Sequence, residues 1–248
     1  MARTQDALYD EIDLELSWSE QALPERERTK HVHRLHPYLG KFIPQLVEAL
    51  LERYVPRGGN VLDPFAGSGT TLVQALESGY DATGVDIAAF NALLIRVKTS
   101  DYNLFTLEHE LRDISARMNE SSLERRHEHR SPYVRRWYAP QAAADLLSFR
   151  SLVDEYEHAD VMRVVLARAA RSARRTTHFD LDFPRSPQRE PYWCHKHKRQ
   201  CRPVERAAHF LRRYALDTAA RVKSFARLRG SGRAASVLHG DARALDLG

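Results

Sequence analysis

Asn60-Val61-Leu62-Asp63-Pro64-Phe65-Ala66-Gly67-Ser68-Gly69-Thr70-Thr71 is the segment around which the rest of the chain is organised. Val61 and Leu62 make a short apolar strand. Asp63-Pro64 ends it, because proline lacks the N–H that a central strand donates. Gly67 and Gly69 let the backbone bend tightly and approach a ligand without a Cβ in the way. From Thr70 onward Leu72, Val73, Ala75 and Leu76 predict a helix whose free N–H groups face back toward the loop. Strand, glycine loop and helix N-terminus form the nucleotide corner of an α/β, Rossmann-like unit.

The nucleotide follows from what surrounds the loop. A phosphate-binding loop needs Gly-Lys-Ser/Thr, whereas Gly69 is followed by Thr70-Thr71. The dinucleotide fingerprint needs a third glycine, and Leu72 stands in its place. Asp63 at the loop mouth would repel a diphosphate but suits an ammonium group. A second acid, Asp86, ends the next apolar strand, 17 residues beyond Gly69. That is where a carboxylate accepts the ribose hydroxyls of an adenosine. An adenosine with an amino-acid tail and no phosphate is S-adenosylmethionine.

Asp63 to Thr71 resembles the first motif of the DNA amino-methyltransferases, which methylate adenine N6 or cytosine N4. The preceding His36-Pro37-Tyr38-Leu39-Gly40-Lys41-Phe42-Ile43-Pro44 resembles the segment those enzymes lay over the methionine end of their cofactor. The resemblance covers Val32 to Lys98. It implies a Rossmann-like methyltransferase fold, S-adenosylmethionine as cofactor, DNA as partner and a place in restriction-modification. The cofactor residues it implies are His36, Pro37, Lys41, Asp63, Phe65, Ala66, Gly67, Ser68, Gly69, Thr70, Asp86 and Ile87. Asp241 and Ala242 join them, since in the family the acid after the third strand contacts the adenine amino group.

Along the chain, residues 1–30 read as an N-terminal extension. Pro44 opens a helix expected to bury Leu46, Val47, Leu50, Leu51 and Tyr54. Ala89 to Val97 is a further apolar helix. A third strand is due next, but Leu104 to about Arg229 is helix-rich instead, and Ala235–Leu238 reads as the postponed strand. The domains expected are an incomplete Rossmann-like domain of residues 31–100 and 233–248, interrupted by a helical, basic insertion of residues 101–232.

The net charge of +5 is unevenly placed: Val161 to Arg213 holds 14 Lys and Arg against 4 Asp and Glu. Such a local excess suits a phosphate-backbone partner. Within it Phe179, Phe183, Tyr192 and Trp193 interleave with cations, the pattern of a surface that stacks unpaired bases. The nucleic-acid-binding candidates are Arg174, Arg175, Arg189, Tyr192, Trp193, Lys196, Lys198 and Arg199, with DNA preferred over RNA. Cys194, His195, His197 and Cys201 could ligate zinc, but their spacing fits no common pattern and lysines flank them, so no metal is assigned. His31, His33 and His36 are likewise read without a metal. Two cysteines are too few for a disulfide framework, and no apolar run reaches membrane length, so a cytoplasmic setting is expected.

The family's Asp/Asn/Ser-Pro-Pro-aromatic turn, which holds the target amine, is missing. Ser131-Pro132-Tyr133 and Glu190-Pro191-Tyr192 have one proline each and read as loop turns. No catalytic residue is therefore assigned. The chain reads as the N-terminal portion of a longer enzyme, with an RNA N-methyltransferase or a non-catalytic nucleic-acid-binding remnant as alternatives.

Overall fold

The computed structural model describes residues 21–37, 40–122, 131–178 and 184–245. In chain order the elements are α1 (Glu25–Arg28), α2 (Pro44–Tyr54), β1 (Asn60–Asp63), α3 (Thr70–Glu77), β2 (Asp81–Asp86), α4 (Ala89–Thr99), α5 (Leu104–Ser122), α6 (Pro132–Trp137), α7 (Pro140–Leu152), α8 (Ala159–Ala173), β3 (Tyr192–Cys194), β4 (Arg199–Cys201), α9 (Ala208–Ala226) and β5 (Ala235–His239). The chain forms two compact units, residues 1–100 with 224–248, and residues 101–223. Its architecture is α/β, with a parallel sheet in the first unit.

The first unit is built on a parallel sheet of order β1-β2-β5. Asn60 to Asp63 pair with Asp81 to Gly84, and Ala82 to Asp86 pair with Ala235 to His239. Parallel neighbours need helical crossovers, and α3 supplies the first. Its Leu72 and Ala75 pack with Val47 and Leu51 of α2, Val61 of β1, Ala82 of β2 and Ile95 of α4. Gly84 lets the helix settle this closely, since a Cβ there would lie 2.7 Å from Leu72 Cδ1 and 3.0 Å from the Ala66 Cβ.

The return to β5 after a long excursion is fixed by polar clamps. Asp81 accepts the Ala234 N–H at 2.7 Å and the Arg233 guanidinium at 3.0 Å. Gly230 N–H donates to the Leu76 carbonyl at 2.9 Å, so the loop after α9 is tied to the end of α3. On the far side β1 pairs with no further strand among the described residues, and Leu62 is 44% exposed.

The second unit is mainly helical. Leu107, Leu111, Ile114 and Met118 of α5, Phe149 of α7 and Met162 and Val165 of α8 are buried. Asp145 is buried at the start of α9, where it accepts the Ala207 and Ala208 N–H groups and the Arg206 guanidinium. β3 and β4 form a separate antiparallel hairpin.

Three expectations need correcting. Leu50 and Tyr54 lie on the outer side of α2, Tyr54 at 70% exposure, so the buried stripe narrows to Val47 and Leu51. Ser131-Pro132-Tyr133 is no loop turn: Pro132 opens α6, and the Ser131 hydroxyl accepts the Val134 N–H as its cap. Tyr192 likewise belongs to β3 and not to a turn. Residues 1–20, Tyr38, Leu39, Phe179 and Phe183 fall outside the described residues.

Candidate active site and its surroundings

Three acids stand at the carboxyl ends of three adjacent parallel strands: Asp63 closes β1, Asp86 closes β2, and Asp241 follows β5 by two residues. In open α/β sheets that edge is where ligands bind. The glycine loop lies between the first two acids. Gly69 has φ +77°, in the left-handed region, and a Cβ there would lie 2.9 Å from Ile95 Cγ1, so glycine is required on two counts. Gly69 also precedes α3, whose N-terminus has no side-chain cap.

Asp86 is the organiser of this corner. One carboxylate oxygen accepts the Gly67 N–H at 2.8 Å. The other accepts the Ala88 N–H at 2.8 Å and the Asn91 amide at 3.1 Å. The Ala66 N–H donates to the Val85 carbonyl at 2.9 Å, which straps the loop to β2. The Gly240 N–H donates to the Asp86 carbonyl at 3.1 Å, which brings the end of β5 alongside. Asp63 accepts the Phe65 N–H at 3.1 Å. Asp241 is bridged by Arg243, whose guanidinium holds the carboxyl below the usual carboxylate range. Phe65 and Ile87, at 81% and 72% exposure, are the apolar side chains left open beside the loop.

Beneath the loop lies a lysine that the sequence reading missed. Lys98 is fully buried and donates to the Ser68 carbonyl at 2.5 Å. Lys41 Nζ donates to the His33 carbonyl at 2.8 Å, and the His36 ring meets Phe90 edge-on at 4.9 Å. The Ser68 and Thr70 hydroxyls are buried without a hydrogen-bond partner among the described residues. Buried polar atoms in that condition carry a desolvation cost that a polar ligand would relieve. Ala242 opens a single helical turn just past Asp241.

Burial, with the Lys41 charge second, lowers the Lys98 ammonium from 10.5 to about 7. Between those two values the unfolded chain holds a proton that the folded chain has released. Stability is therefore expected to rise with pH through that window, by up to about 1.4 kcal/mol per pH unit. Below it the full cost of burying the charge remains. Lys98→Met should abolish the rise, whatever it does to the absolute stability through Ser68. Thermal melts of both proteins from neutral to alkaline pH check this, and parallel curves would contradict it.

In the second unit the basic candidates separate into two groups. Arg174 and Lys196 line a cleft of about 380 Å³, together with Arg171 and Arg213, which the sequence reading did not single out. Ser172, Thr176 and Thr177 add polar groups to it. Arg213 lies over the Phe210 and Tyr214 rings, at 5.2 and 4.8 Å from their centroids. Arg175 is turned away: its side chain is largely buried, with Glu205 3.7 Å off. Arg189, Lys198 and Arg199 are exposed and do not line the cleft. Trp193 is 53% exposed, while the Tyr192 hydroxyl accepts the His178 N–H at 3.1 Å.

The structure gathers Cys194, His197 and Cys201 with His178, and leaves His195 out of the group. His31, His33 and Glu77 also converge, but Lys30 binds Glu77 at 2.7 Å there. Among the described residues no helix is long and apolar enough to cross a membrane.

A parallel sheet with acids at its strand ends and a glycine loop without a phosphate-binding lysine is the architecture of a Rossmann-like methyltransferase fold. Comparisons with known proteins show what the chain is similar to. A DNA methylase family model matches residues 4–95. The type II methyltransferase M.MjaII of Methanocaldococcus jannaschii is 31% identical over 312 aligned positions, covering 98% of this chain and 58% of that protein. M.MvaI of Kocuria varians is 23% identical over 176 positions, 65% of this chain and 38% of its own length. M.BsoBI of Geobacillus stearothermophilus is 31% identical over 90 positions, 35% and 18% of the two chains. The likeness to DNA methylases thus covers residues 4–95 by family model and nearly the whole chain by comparison with M.MjaII, and the chain spans no more than 58% of the length of these curated relatives. No solved structure matches it.

Proposed function

We propose that this chain supplies the S-adenosylmethionine site of a DNA amino-methyltransferase, acting on the exocyclic amine of adenine or cytosine. The observation that carries the reading is the convergence of Asp63, Asp86 and Asp241 at neighbouring strand ends around a loop that Asp86 itself holds. The relatives' printed names, all type II methyltransferases, support the reaction class.

The cofactor supplies a methyl group on a sulfonium, activated for attack by an amine nitrogen. The residues present fit it. Asp63 offers a carboxylate for its ammonium, and Asp86 keeps one lone pair, on the oxygen that accepts the Gly67 N–H, for a ribose hydroxyl. Phe65 and Ile87 offer apolar surface for an adenine face. Asp241 reaches an adenine amine only by exchanging part of its bond to Arg243. Ser68 and Thr70 supply the unpartnered hydroxyls. His36, Pro37 and Lys41 stand as the proposed cover over the methionine end, by the resemblance of their segment.

The second unit is proposed to hold the DNA backbone, through the cleft that gathers Arg171, Arg174, Lys196 and Arg213. Phosphate contacts position a duplex without reading its sequence. Amide hydrogen exchange with and without S-adenosylmethionine tests the cofactor assignment, because the ends of β1, β2 and β5 should be protected together.

A further inference from the structure

We infer that His178, Cys194, His197 and Cys201 form a closed, tetrahedral metal site, and that its ion is zinc. One donor atom from each of the four lies within 4.8 Å of every other. Cys194 Sγ is 3.5 Å from His178 Nδ1, and His197 Nδ1 is 3.4 Å from Cys201 Sγ. Zinc bound at about 2.3 Å to sulfur and about 2.0 Å to nitrogen places tetrahedral S···N edges at about 3.5 Å. Both cysteines are free and buried, Cys194 at 2% and Cys201 at 7% exposure.

The donor set names the ion. Two thiolates and two imidazoles in a tetrahedral arrangement suit zinc, while calcium and magnesium require oxygen ligands. Four protein ligands leave no open position for water, so the site is structural and not catalytic. The lysines beside it do not oppose this. Two thiolates offset the charge of a divalent ion, and Lys196 and Lys198 are exposed rather than turned into the cluster.

The local fold gives the site a task. β3 and β4 are three residues each, and a lone hairpin of that size is marginal in water. Its turn carries Lys198 at φ +53°, a left-handed backbone in a residue that rarely adopts it. That turn brings His197 back against Cys201, and His178 arrives from 16 residues before Cys194. An ion there would fasten the segment after α8 to the hairpin. His178, Lys196 and His197 also line the basic cleft, so the same bond network would set the cleft's wall. The site stands on its own geometry and does not depend on the methyl-transfer reading.

Two measurements on the full chain test it. Native mass spectrometry of protein purified without chelators should show one zinc per chain. The zinc should be lost in Cys194→Ser/Cys201→Ser and kept in His195→Ala, whose ring lies outside the cluster. Metal-free wild type titrated with Co²⁺ should develop thiolate-to-cobalt charge-transfer absorption and tetrahedral visible bands that saturate at one equivalent. The cobalt titration decides the matter even if the double cysteine variant does not fold. Retention of zinc by that variant, or a wild type whose two thiols stay reactive while no tetrahedral cobalt spectrum appears, would overturn the inference. So would a Cys194–Cys201 disulfide with no metal bound.

Discussion

Asp86→Ala is expected to weaken S-adenosylmethionine binding by roughly 3 kcal/mol, more than about a hundredfold in Kd, and to do so by two routes. The first is loss of the charge-assisted hydrogen bond to the ribose. The second is loss of the loop itself, because the carboxylate accepts the N–H groups of Gly67 and Ala88 and the amide of Asn91. Asp86→Asn separates them. It keeps an oxygen for one of those donors but sets its own N–H₂ against another, so it should fall between alanine and wild type. Asp241→Ala should cost less, since that carboxylate is already engaged by the exposed Arg243 guanidinium. Calorimetry on the three variants provides the order. An Asp86→Ala protein that binds as well as wild type would remove Asp86 from the site.

The second large effect concerns DNA. Replacing Arg171, Arg174, Lys196 and Arg213 together by glutamine should reduce the slope of log affinity against log salt by about 3–4. Each lost phosphate contact removes about 0.9 from that slope on a duplex. Affinity at low salt should fall by at least about a hundredfold with it. The geometry makes the set specific, since these four cations share one cleft. Arg175 is excluded by its burial beside Glu205, and Lys198 and Arg199 lie outside the cleft. Neutralising Lys198 and Arg199 should therefore flatten the slope less. Fluorescence anisotropy at several salt concentrations measures both sets, and an unchanged slope in the fourfold variant would mean that DNA does not enter the cleft.

The first unit was legible because punctuation residues define it. Pro64 stops β1, Gly69 permits the left-handed bend, and Gly84 admits Leu72 at close range; each is a steric demand that the residue type announces. β5 could be placed because the short, largely apolar run Ala235–Leu238 stands ahead of a Gly-Asp turn where a third strand was still due, although it pairs with a strand about 150 residues earlier. The hairpin was not legible. Strands of three residues have no measurable periodicity, and Pro191 ahead of Tyr192 reads as a turn signal. The capping signature at Ser131-Pro132 was present and could have revealed α6.

Site residues divide along the same line. Asp63 and Asp86 end strands and Asp241 follows one by two residues, so strand recognition places them. Lys98 carries a charge that argues for the surface, yet it sits four residues after Leu94 and three after Ile95, on the buried face of α4. That spacing was the available signal. His178 could not be tied to the cysteines by spacing alone, because 15 residues intervene and only the fold brings it back. The basic segment gave the charge but not its partition, which depends on which arginine finds an internal acid.

Hydrogen exchange with and without S-adenosylmethionine localises the ligand on the sheet without presuming any one contact. Slowed exchange is predicted in three separate segments at once: residues 63–69 after β1, 86–91 after β2 and 239–242 after β5. Unchanged exchange in all three, or protection confined to residues 171–214 of the second unit, would contradict it.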